Sequence, residues 1–195
     1  MSFLTPEIIA QAREHYDEGR AYHNWSHIEW MLGLFEEYRA LVNDADVFEV
    51  KVVGHDVIYD SRRHDNELLS AKMAMAWIAN VASPRQLDAT DKGIQASATH
   101  IVPAGLPTAV ASDVALFLDM DLSILGSDDR TFKAYDEAIR EEYSWATDEQ
   151  WKVGRAAVMK KFLTRPSIFI TPQLKERFEE PARSNLKQLI EALEA

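Results

Sequence analysis

The sequence predicts an all-α protein, a bundle of eight or nine helices. Three observations carry that prediction. No segment alternates apolar and polar residues with the period of two that a half-buried strand shows. Apolar residues recur instead at three- and four-residue steps, as one face of a helix with 3.6 residues per turn requires. Helix-start signals also punctuate the chain, so connections are short and sequence neighbours are expected to pack together.

Taken in order, Thr5-Pro6-Glu7 supplies an N-cap, a proline at the first helical position and an acid in the first turn. That helix should run to about Asp17 and stop at Gly19. Asn24 caps a second, carrying Ile28, Met31, Leu32 and Phe35, to about Val42. A third starts at Asp44 or Asp46 and runs through Val47, Phe48, Val50, Val53 and Val57. It is apolar on nearly every side and should be the central, buried helix. Asp60 to His64 is a charged loop, and Asp65 caps the helix with Leu68, Leu69, Met73, Trp77 and Ile78. Ser83-Pro84-Arg85-Gln86 is a capping box whose helix should end near His100. Ile101 to Ser112 holds two prolines and a glycine and is expected to be a loop, with Ser112 capping the next helix and Gly126 closing it. Further helices are expected over about Arg130 to Trp145, from the Thr147 capping box to about Leu163, and from Thr171-Pro172 to about Leu193.

Composition narrows the function. The chain has 195 residues, a formal net charge of −11 and no cysteine. That length fits one helical domain over residues 1–195, with 171–195 as a C-terminal covering helix. The negative charge argues against a general nucleic-acid-binding surface. Without cysteine there is no disulfide framework, thiolate zinc site or cysteine nucleophile. Met1 to Glu18 lacks the basic and apolar regions of a signal peptide, and no stretch is long and apolar enough to span a bilayer. The expectation is a cytoplasmic protein without membrane or nucleic-acid partners, with a homo-oligomer left open.

The chemistry concentrates in Val52-Val53-Gly54-His55-Asp56-Val57-Ile58-Tyr59-Asp60. A histidine beside an aspartate in an apolar run costs several kcal/mol to bury unless something pairs with them. An imidazole nitrogen and a carboxylate oxygen both suit a divalent transition metal. Two more clusters fall on predicted helices. His23 and His27 flank the Asn24 cap, with His27 in register with the apolar face. Asp119 and Asp121 sit in the run from Val114 to Leu125, about 200° apart on a helix, so one of them should face a given ion. Asp121, framed by Phe117, Leu118, Ile124 and Leu125, is the better candidate, leaving Asp119 to support a ligand or face solvent.

His27, then His55-Asp56, then Asp121 resembles the H…HD…D signature of the HD superfamily of metal-dependent phosphohydrolases. The strings YHNWSHIEWML, GHDVIYD, HDNELLSAKMA, FLDMDLSILG, YDEAIREEY and PARSNLKQLIEAL resemble an uncharacterised bacterial group of predicted HD phosphohydrolases, from about Arg20 to the C-terminus. The resemblance implies an HD-domain-like helical bundle in which His27, His55, Asp56 and Asp121 hold one divalent ion of the set Mn, Fe, Co, Ni, Zn or Mg. His23 is the rival to His27. HDVIYD also resembles the HDxxED string of guanosine tetraphosphate hydrolases, but Tyr59 replaces the glutamate, which separates this chain from that activity. Two-iron members carry extra histidines, and here His64 and His100 are the ones at hand, so one metal is expected.

The implied reaction is hydrolysis of a nucleotide or small phosphoester by a metal-activated water. Asp60, Asp65 and Glu67 are candidates to orient that water, and His100 to protonate a leaving oxygen. Asp65 and Glu67 also suit a helix start, and His100 a helix end. Arg20, Arg62, Arg63 and Arg140 are candidates to bind phosphate, with Arg165 also available. Tyr22, Trp25 and Tyr59 are candidates to stack on a base. The rival classes are an HD-fold di-iron oxygenase and a nucleotide-binding module without turnover.

Overall fold

The computed structural model describes residues 2–17 and 19–195. Among them are nine α-helices and two short 3₁₀ turns, with no strand. The helices are α1 (Pro6–Tyr16), α2 (Trp25–Glu37), α3 (Ala45–Gly54), α4 (Asn66–Ile78), α5 (Pro84–Ala96), α6 (Thr108–Leu122), α7 (Asp129–Glu142), α8 (Asp148–Leu163) and α9 (Pro172–Glu194). The all-α expectation of eight or nine helices holds. No helix among the described residues is long and apolar enough to cross a membrane.

The chain falls into two compact units, Met1–Leu118 and Asp119–Ala195, with the boundary inside α6. In the first unit, α3 is the central element foreseen from its apolar run: Val47, Phe48, Val50, Val52 and Val53 are almost completely buried. Phe35 stacks on Phe48 at 5.1 Å, and Phe48 meets Phe117 edge-on at 6.4 Å. Gly54 lets α3 approach α4, because a Cβ there would lie 2.7 Å from the Cβ of Ala74. Lys51 is 1% exposed, its ammonium 5.1 Å from the Phe48 ring centre. Burial lowers its pKa to about 8, against the opposing pull of the Asp113 and Asp44 carboxylates.

The second unit holds α7, α8 and α9. Its α9 packs closely on the 3₁₀ turn Ser123–Gly126, where a Cβ on Gly126 would lie 2.6 Å from the Phe178 carbonyl oxygen. The Asn185 amide donates to the carbonyls of Leu125 and Ser127, both at 2.9 Å.

Caps at Thr5, Asn24, Asp44, Ser83 and Thr147 form as expected. Several expected boundaries move, among them the end of α7, which stops at Glu142 short of Trp145. α2 ends at Glu37 and tightens into a 3₁₀ turn at Arg39–Leu41. α5 ends at Ala96, where the Ser97 hydroxyl donates to the Ile94 carbonyl, and the chain turns through His100 at φ 51°. α6 starts at Thr108, with the Pro107 carbonyl accepting from Ala111, so Ser112 lies inside the helix and does not cap it. α3 ends at Gly54, before the His55-Asp56 doublet.

Candidate metal centre

The end of α3 sets the geometry. His55 is the C-cap residue and Asp56 lies in the following turn, so the doublet is not helical as the valine run suggested. The physical reason is Arg20. Its guanidinium donates to the carbonyls of Asp56 at 2.6 Å and Val57 at 2.9 Å. Those carbonyls are thereby turned out of the helical ladder. The Ile58 amide donates to the Ser70 hydroxyl at 3.0 Å, which pins the strand of chain leaving the turn.

His27 lies in the first turn of α2, held there by the Asn24 cap, and is 4% exposed. His55 is 1% exposed. Their Nε2 atoms face each other at 3.3 Å. Nitrogens bound ~2.1 Å from one cation would be about 3.0 to 3.4 Å apart, depending on its geometry. The opposite side of each ring is engaged. His55 Nδ1 is 3.0 Å from the Val52 carbonyl, which can only accept, so Nδ1 carries the proton and donates. His27 Nδ1 is 3.1 Å from the Tyr22 hydroxyl. Asp56 brings a carboxylate oxygen to 3.0 Å from His55 Nε2. Asp121, the other candidate carboxylate, lies in the last turn of α6. The set of His27, His55 and Asp56 could hold a metal ion: two imidazoles and a carboxylate, oriented from behind, suit a divalent transition cation.

A row of rings surrounds these atoms. His23 stacks on Tyr59 at 3.8 Å, Tyr22 meets His23 edge-on at 5.0 Å, and Tyr22 lies 5.0 Å from His27. His27 meets His55 at 5.3 Å, and His55 meets Phe117 at 5.5 Å. His23 therefore packs beside the centre, and His27 is the histidine that joins His55. Trp25, considered for base stacking, is nearly buried and lies edge-on to Tyr16 at 5.8 Å.

The other candidates have visible local tasks. Asp60 is exposed, and its carboxylate accepts from the Arg62 amide at 2.9 Å, closing the turn after the doublet. Asp65 occupies the N-cap of α4 but does not cap it. Its oxygens accept from Arg63 Nε and Nη2 at 2.9 and 2.8 Å. Glu67 is half-buried in the first turn of α4, and Arg62 and His64 are exposed. His100 ends the turn after α5, its amide donating to the Ala96 carbonyl at 2.8 Å. Arg20 is half-buried and donates to the carbonyls of the doublet turn. Arg140 closes the α7–α8 turn through the Tyr143 and Ala146 carbonyls and the Asp148 carboxylate. Arg165 lies over the Phe162 ring at 4.7 Å.

Asp119 differs from both roles considered for it. It is 0% exposed and accepts from the amides of Ile170 and Thr171 and from the Thr171 hydroxyl. Thr171 therefore spends its hydroxyl on Asp119 instead of capping α9. Burial raises the Asp119 carboxyl to about 6 despite those donors.

Sequence reasoning missed the partners behind the rings: the Val52 carbonyl, the Tyr22 hydroxyl and the Arg20 clamp. Tyr22 lies in the loop before α2, where helical spacing gives no signal. Comparison of the chain with protein-family models, with curated proteins and with solved structures finds no match.

Proposed function

We propose that the chain is a cytoplasmic metal-dependent phosphohydrolase that cleaves a nucleotide or small phosphoester. In this reading His27, His55, Asp56 and Asp121 hold one divalent ion. The observation that supports it best is the pair of Nε2 atoms 3.3 Å apart, each on a ring engaged at Nδ1. When bound, a divalent ion supplies Lewis acidity at the phosphoryl oxygen and lowers the pKa of a coordinated water.

The protein's own residues supply position and proton handling. The Val52 carbonyl keeps His55 in the tautomer whose Nε2 accepts. Arg20 fixes the turn that carries Asp56. Asp60, Glu67 and Asp65 are the acids near the doublet in sequence that would orient the attacking water. Arg62 and Arg63 would meet the substrate phosphate. The Arg63–Asp65 pair is over 40% exposed on both sides, and such a pair is weak enough to yield to a phosphate. His100 would donate the proton taken up by the leaving oxygen as the ester bond breaks.

The test is a phosphate-release screen of nucleotides and small phosphoesters with protein loaded with manganese, iron, cobalt, nickel, zinc or magnesium. Turnover by wild type and loss of it in His55→Ala is expected. Metal-loaded protein that releases no phosphate from any substrate overturns the proposal. Nucleotide binding without turnover would favour the binding-module reading, and oxygen consumption by iron-loaded protein the oxygenase.

A further inference from the structure

Resting on the metal reading above, we infer that Tyr22 is a positioning residue that sets how His27 meets the ion. An imidazole ligates through one nitrogen, and the hydrogen bond at the other decides which one is available. For His55 the backbone makes that choice, through the Val52 carbonyl at 3.0 Å from Nδ1. For His27 the corresponding atom is the Tyr22 hydroxyl, 3.1 Å from Nδ1. His27 Nε2 lies 3.3 Å from His55 Nε2, and were an ion held there, His27 Nδ1–H would donate to the Tyr22 oxygen.

The phenol is itself held in place. Its ring meets His23 edge-on at 81° and His27 at 41°, and His23 is braced by its 3.8 Å stack on Tyr59. The His23 carbonyl accepts from Arg20 Nη1 at 3.3 Å, and the same nitrogen donates to the Asp56 carbonyl. The segment from Arg20 to His23 thus fixes the first histidine through Tyr22 and the doublet turn through Arg20. The two imidazoles have anchors of different kinds, a carbonyl for His55 and a hydroxyl for His27. Side-chain substitution can remove only the second.

Tyr22→Phe keeps the ring and deletes that anchor. The experiment is a zinc titration against a competing chelator, with the visible spectrum of the cobalt-loaded protein and the melting temperature of the metal-free protein. The expected result is a ~10–100-fold weaker zinc affinity, the range for losing a hydrogen-bond partner of a ligand. The cobalt bands should change, while the metal-free melting temperature changes little. Unchanged affinity and an unchanged cobalt spectrum overturn the inference. So does a lower melting temperature with unchanged affinity, since Tyr22 would then only pack. Wild-type protein that takes up neither zinc nor cobalt overturns the metal reading as well, and that outcome is distinct from a loaded wild type with an equally loaded variant.

Discussion

His27 and His55 in the first unit, and Asp119 and Glu179 in the second, are all buried polar side chains. They are buried in different ways. Asp119 accepts from two amides and a hydroxyl of residues 170–171. Glu179 accepts from the amides of Ile168 and Phe169, from Ser167 and from Arg183. Both carboxylates hold one stretch of chain in place. The two histidines are each engaged at Nδ1 by a different partner, and their Nε2 atoms converge at 3.3 Å. A buried polar group supplied with donors from the backbone of one segment serves structure. Groups secured from behind and converging in front are suited to a ligand.

The largest expected effects separate these two kinds of burial. His55→Ala should weaken zinc binding by more than ~100-fold, beyond the usual loss for a residue that only supports a ligand. Calorimetry of metal-free variant should still show cooperative unfolding, but added zinc should no longer raise the melting temperature. A zinc-dependent rise equal to wild type would mean that His55 is only a packed residue. Asp119→Ala should behave in the opposite way. It removes the acceptor of two part-buried amides and a hydroxyl, so stability should fall by about 1–3 kcal/mol, while zinc still raises the melting temperature. Urea unfolding with and without zinc measures both halves, and an Asp119 variant unable to take up zinc would erase the contrast.

A smaller effect concerns acid. Burial alone would raise the Glu179 carboxyl, but the Phe169 and Ile168 amides, Arg183 and Ser167 outweigh it and hold the pKa below its usual 4.5. The folded protein then releases this proton more readily than the unfolded chain. The stabilisation is full above that usual value and is lost as pH falls through the lowered folded value. Glu179→Gln should therefore lose less stability than wild type between about pH 6 and about pH 3. Equal losses in urea midpoint would show that Glu179 does not sense acid.

The smallest effect belongs to Lys51. Its pKa near 8, lowered first by burial, means that the folded protein binds fewer protons than the unfolded chain between about 8 and 10.5, so stability rises with pH across that window. Lys51→Met should stabilise by about 1 kcal/mol at neutral pH and abolish that rise. Thermal melts against pH check it, and a retained slope would assign the rise to another group.

The sequence makes the helices legible because their signals are local. Ser83 and Gln86, or Thr147 and Gln150, announce a start within four residues, and the capping boxes form. The pairing of His27 with His55, two histidines 28 residues apart, is also legible from their buried register. What sequence does not reveal depends on distant partners. His55-Asp56 leaves the helix because Arg20, 36 residues upstream, holds the Asp56 carbonyl. Asp119 is committed to structure by amides 51 and 52 residues downstream. Arg63 and Asp65 are two residues apart, yet each also suits a task of its own, so their mutual pairing has no pattern to betray it.

The row of rings from Tyr59 through His23, Tyr22, His27 and His55 to Phe117 has a spectroscopic consequence. Each ring lies in the magnetic shadow of the next. A small rotation of either central imidazole alters the shielding felt by its neighbours, and those neighbours lean on others in turn. The aromatic proton resonances of Phe117 and Tyr59, at opposite ends of the row, should therefore move together when a cation arrives between His27 and His55. The molecule carries its own reporter, readable without a label and without knowledge of the substrate.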